Sequence, residues 1–144
     1  RLQLLILLMI IALENKIEKI DATSNSYLFD MQALQMTYAN LYESQKAIMK
    51  PIYKTKIEQH ITNTEKLLAE VAALDTLVAN IMGTATTVDS VTITQQIIKD
   101  VEDARVKLAA LTDEQKTMLK PATVNNINAL VTRIKNLKEA NHIQ

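Results

Sequence analysis

Residues 38–51 read YANLYESQKAIMKP, and residues 108–121 read LAALTDEQKTMLKP. The stretches lie 70 residues apart, Pro51 to Pro121. Ala39, Leu41, Gln45, Lys46, Lys50 and Pro51 recur as Ala109, Leu111, Gln115, Lys116, Lys120 and Pro121. Self-similarity at a long fixed period marks a repeat architecture, in which neighbouring units bury faces that no unit buries alone. Proline disfavours helix at the residue before it and is tolerated in the first turn of a new helix. Each stretch therefore predicts a corner, with a fresh helix starting at its proline.

The second copy carries its own helix signal. Thr112-Asp-Glu-Gln115 has the form of a capping box: the Thr112 hydroxyl can accept from the Gln115 N–H, and the Gln115 side chain from the Thr112 N–H. A short helix over about residues 113–119 follows. The first copy has Tyr42 at the cap, so its break is expected to be softer, and helix 27–49 could run on with a kink. Ile48, Met49, Met118 and Leu119 supply the apolar face of the short element.

Working outward, Met31, Leu34, Tyr38 and Leu41 fall at i, i+3, i+7 and i+10, and Val101, Ala104, Leu108 and Leu111 repeat that spacing. Each set is one helical stripe. The break Asp21–Ser26 offers Ser24 or Ser26 as a cap for the first stripe, and Thr94 caps the second. From Pro51 a stripe steps by three or four through Ile57, Ile61, Thr64, Leu68, Val71, Leu74, Val78 and Ile81. Gly83 ends it as a left-handed cap, and 84–90 is a linker. After Pro121, Ile127, Val131, Ile134 and Leu137 form the last stripe, with fraying expected near Asn141.

This order predicts an all-α fold: tandem three-helix-bundle repeats, long–short–long and antiparallel, with long helices shared between units. Residues 23–88 form the first repeat and 89–144 the second. Residues 1–22 are an apolar helix that closes a preceding repeat. Composition agrees with long helices, since the chain has one Gly and two Pro, too few for an all-β fold rich in tight turns. Lys plus Arg and Asp plus Glu balance at 16 each, which leaves no basic surplus for nucleic acid. The lack of Cys excludes disulfides and zinc–thiolate sites. The sequence begins with Arg1, as expected of a fragment or a processed product.

Residues 2–13 (LQLLILLMIIAL) are apolar except for Gln3. At about 1.5 Å per residue they span roughly 18 Å, against about 30 Å for a membrane core. Three readings stand: a buried helix, the h-region of a signal peptide, and a surface that docks a partner or a membrane interface. On the docking reading, Leu4, Leu5, Leu8 and Ile11 are the contact residues.

Little else suggests chemistry. His60 has no His or carboxylate at i+3 or i+4 to complete a metal site, and His142 falls in the tail. Asp100, Glu102 and Asp103 share a helix with Lys99, Arg105 and Lys107, as a solvated face does. No phosphate loop or nucleophile elbow is present. No enzyme, cofactor or metal is expected. The repeated Gln-Lys pair is read as a capping Gln and a Lys whose stem covers the bundle. Tyr27, Phe29, Tyr42 and Tyr53 are the candidates for a ligand platform suited to a cell-wall glycan, while Tyr38 belongs to the stripe.

Residues 101–119, VEDARVKLAALTDEQKTML, resemble the helical repeat modules of Gram-positive cell-surface and S-layer-associated proteins. Val101, Ala104, Arg105, Ala110, Leu111, Thr112, Glu114, Gln115 and Lys116 match that pattern, as do Ile93 and Thr94 before it. Leu108 replaces the usual Tyr; the first copy keeps Tyr38 but has Gln35 for the Arg and Tyr42 for the Thr. The likeness covers 93–119 well, 27–49 weakly and 1–20 not at all. It implies a non-enzymatic spacer outside the cell, in a secreted or wall-attached protein. A protein partner or self-association through the N-terminal helix is the alternative function, and glycan binding a further one. No nucleic-acid partner is expected, and no membrane beyond a signal segment.

Overall fold

Pro51 and Pro121 each open a long helix in the computed structural model of the chain, which describes residues 1–140. The expectations for Asn141 and His142 lie outside the described residues. Among the described residues seven α-helices run in order: α1 (Leu2–Lys19), α2 (Tyr27–Ala39), α3 (Glu43–Lys46), α4 (Pro51–Met82), α5 (Gln95–Ala110), α6 (Asp113–Met118) and α7 (Pro121–Glu139). A 3₁₀ turn, Val88–Ser90, interrupts the linker between α4 and α5, and there is no strand among the described residues. The fold is all-α.

The chain divides into two compact units, residues 1–67 and 68–144, and the division falls inside α4. The first unit is a helical bundle whose core holds Ile10, Leu13 and Ile17 of α1, Tyr27, Met31 and Leu34 of α2, and Met49 and Ile57 at and beyond the corner. The second has its own core, with Val71, Leu74 and Val78 of α4, Val101 and Ala104 of α5, and Ile127, Leu130 and Ile134 of α7. The α4 stripe breaks where the units divide. Leu68 is 43% exposed, and Leu67 packs into the first core instead.

Local chemistry explains the ends of these elements. Thr94 caps α5, accepting the Ile97 N–H at 3.1 Å. Gly83 follows α4 at φ +56, a conformation in which a Cβ would be strained. Three expectations need correction. Ser26 stands at the N-cap of α2, but its hydroxyl donates to the Asp30 carboxylate at 2.8 Å and caps no backbone N–H. In α7, Leu130 is fully buried and Val131 only partly, because the core-facing row runs 123, 127, 130, 134. The first corner does not run on as a kinked helix: α2 stops at Ala39, and α3 is a separate turn. Each short element buries one of its two large apolar residues. Met49 and Leu119 are buried, while Ile48 and Met118 are each 45% exposed.

Candidate functional sites: two corners, a buried tyrosine and an exposed apolar helix

In the second corner the capping box closes as the spacing requires. The Thr112 N–H donates to Gln115 Oε1 at 2.9 Å, and the Gln115 N–H to Thr112 Oγ1 at 3.1 Å. Gln115 is 1% exposed, and its amide also donates to Glu70 Oε1 at 3.0 Å. Only the glutamine half forms in the first corner, where the Tyr42 N–H donates to Gln45 Oε1 at 2.9 Å. The phenol of Tyr42 cannot act as a cap oxygen and is 74% exposed. The Gln45 N–H turns to the Tyr42 backbone carbonyl instead.

A carboxylate then closes each corner at the residue before the proline. The Lys50 N–H donates to Glu14 Oε2 of α1 at 2.9 Å, and the Lys120 N–H to Asp75 Oδ1 of α4 at 3.2 Å. These N–H groups precede the first turn of a helix, where backbone donors lack intrahelical partners and an anion is favoured. Asp75 also accepts the Thr123 hydroxyl at 2.6 Å. Sequence reasoning missed both carboxylates, since each acts on a residue 36 or 45 positions away. Their signal is an acid one position after a buried stripe leucine, Leu13 or Leu74.

Of the two repeated lysines, Lys46 behaves as the stem-covering reading requires, half-buried with its ammonium 4.8 Å from the Tyr38 ring centroid, whereas Lys116 is exposed. The Tyr38 hydroxyl faces Glu58 at 3.4 Å, and burial, reinforced by that carboxylate, raises the phenol above its ordinary pKa.

The four aromatic candidates do not form one surface. Tyr27 is 2% exposed, a core residue of the first unit and not a platform member. Phe29 is 73% exposed, beside Lys16 and Lys19. Tyr53 is half-buried against the core, next to Leu7 and Ile48. Tyr27 fits inside because its hydroxyl is served: Asn63 Nδ2 donates to it at 3.1 Å, and it meets His60 Nδ1 at 2.7 Å, with the rings edge to face. Burial first, and then the nearby Lys56 charge, lower the His60 pKa. With its proton on Nε2, a neutral His60 takes the phenol hydrogen on Nδ1, leaving the phenol oxygen free to accept from Asn63. Among the described residues, no three His, Cys, Asp or Glu side chains gather as metal ligands.

The N-terminal helix is buried on one side only. Ile10, Leu13, Glu14 and Ile17 face the core. Leu4, Leu5, Leu8 and Ile11 are 57%, 63%, 53% and 42% exposed, so all four expected contact residues lie in solvent. No helix among the described residues is long and apolar enough to cross a membrane.

Among the described residues the geometry defines an all-helical protein in which Gln115, Glu14 and Asp75 serve backbone N–H groups at the corners. No family model, curated protein or solved structure matches the chain.

Proposed function

We propose that the chain is a non-enzymatic structural spacer, built from tandem long–short–long helical repeats, in a bacterial cell-surface or secreted protein. The observation that carries this reading is the corner used twice. Gln45 and Gln115 cap the short helix, and a carboxylate of an earlier long helix, α1 or α4, receives the N–H before each proline. A second offset supports it. Ile10, Leu13, Glu14 and Ile17 of α1 correspond to Val71, Leu74, Asp75 and Val78 of α4, 61 positions on (Leu13 to Leu74). The apolar members of both sets are buried. The α1 helix thus does in the first unit what the second half of α4 does in the second. Long helices that serve successive units are a means of setting length, because each repeat contacts only its neighbours.

The test is concatenation. Chains carrying one, two and three additional copies of 51–120 are compared by small-angle scattering. A spacer gains a constant increment in maximum dimension per copy; copies that collapse without lengthening the particle refute the reading. The surface location is tested separately by protease shaving of intact expressing cells, which should remove the protein.

The exposed leucines of α1 favour a second role, docking through the N-terminal helix. Glycan binding would rest on Phe29, Tyr42 and Tyr53, since Tyr27 is buried.

A further inference from the structure

The first turns of α1 carry more apolar surface than the bundle uses. Leu2, Leu4, Leu5, Leu8, Met9 and Ile11 are each at least 41% exposed. At 3.6 residues per turn these positions cover about half of the helix circumference, the side opposite Ile10 and Ile17. The α4 helix shows that the architecture does not require this. At the offset that aligns Leu13 with Leu74, the counterparts of Leu4, Leu5 and Met9 are Glu65, Lys66 and Glu70.

Shape and charge together select the occupant. The remaining side of α1 packs on the bundle, so an apolar face this broad can lie in acyl chains without leaving an apolar flank in water. No charge interrupts the chain between Arg1 and Glu14. Glu14 is buried against the Lys50 N–H, and Glu18 is paired with Lys56 at 2.7 Å. Lys16 and Lys19 stay exposed one to two turns beyond the leucines, beside the exposed ring of Phe29. Asp21 and Asp30 share that groove, hydrogen-bonded to Thr23 and Ser26. A second copy paired antiparallel about Leu8 would bring Arg1 toward the other copy's Lys16, and a parallel one would oppose Lys16 to Lys16. Anionic headgroups suit the same cations. No helix among the described residues is long and apolar enough to cross a membrane, and an interfacial helix lies in the boundary between headgroups and acyl chains.

We infer that residues 2–11 of α1 dock the protein on a lipid bilayer surface, with the leucines in the acyl boundary and Arg1, Lys16 and Lys19 at headgroup level. This rests on the docking reading of α1 and not on the spacer reading, which concatenation tests independently. The experiment is flotation of the intact chain with vesicles of phosphatidylcholine alone, and of phosphatidylcholine with phosphatidylglycerol. The protein should float with both and bind the anionic vesicles several-fold more tightly, an advantage that high salt removes. Leu4→Glu with Leu8→Glu should weaken binding to both more than tenfold while leaving the thermal melt unchanged, since both side chains are exposed. A chain that does not float overturns the inference, as does flotation on anionic vesicles alone that the glutamates leave undiminished. A vesicle-free oligomer that the same substitutions disperse overturns it too, and assigns the surface to a second copy.

Discussion

Gln115→Ala should be the most damaging single change in either short helix. The side chain is 1% exposed and accepts the Thr112 N–H while donating to Glu70. Truncation leaves the Thr112 N–H, whose bond to Gln115 is part-buried, without its acceptor, at about 1–3 kcal/mol for an unsatisfied donor. It also leaves a small cavity, which adds about 1 kcal/mol. The loss at Glu70 adds little, because that carboxylate is exposed and water replaces the amide. The expected cost is about 3 kcal/mol. Gln45→Ala removes the equivalent bond to Tyr42, where the backbone is exposed, and should cost about 0.5–1 kcal/mol, the value of an ordinary cap. Gln115→Glu keeps an acceptor for Thr112 but sets a carboxylate against Glu70. The like-charge repulsion should make this variant less stable than the parent chain. Guanidinium unfolding followed by helical circular dichroism measures all three. Equal costs for Gln45→Ala and Gln115→Ala, or a Gln115→Ala cost below about 1 kcal/mol, would refute the claim that burial makes the second corner the stronger one.

Three further outcomes are expected. The His60 pKa is lowered on folding, so the unfolded chain binds the proton more readily; stability should be full above about pH 6.5 and fall as pH drops toward the folded value, a trend that His60→Gln flattens. Thr64→Val should be neutral or slightly stabilising, because the buried hydroxyl bonds only the Ile61 carbonyl in its own helix, while Leu74→Ala at 0% exposure should cost about 2–5 kcal/mol by chemical denaturation. Arg133 donates to the Val88 and Val91 carbonyls, so Arg133→Met should speed amide exchange across 84–94 well before it lowers the melting temperature.

What the sequence disclosed was local. Thr94, Thr112, Gly83 and the two prolines act within four residues of themselves, and each marks a helix end where expected. Stripe spacing located most of the core for the same reason, since Met31, Leu34 and Tyr38 lie on one face of one helix. What stayed hidden depends on residues brought together by folding. Glu14, Asp75 and Glu70 look like surface acids until the corner they serve is in place. Tyr27 looks like an exposed helix-end aromatic until His60 and Asn63, 33 and 36 positions away, supply its hydrogen bonds. Ser26 misled in the opposite sense: a good cap residue found Asp30 instead of a backbone N–H.

The same dependence separates the sequence period from the packed unit. The period restarts near residues 23 and 89, but the second core needs Val71, Leu74, Val78 and Ile81 from α4, and its corner needs Glu70 and Asp75. The most direct measurement compares fragments 68–144 and 90–144 in guanidinium unfolding. The account predicts that 68–144 is helical and unfolds in one cooperative transition, and that 90–144, without those six side chains, does not. A cooperative 90–144, or an unfolded 68–144, would contradict it.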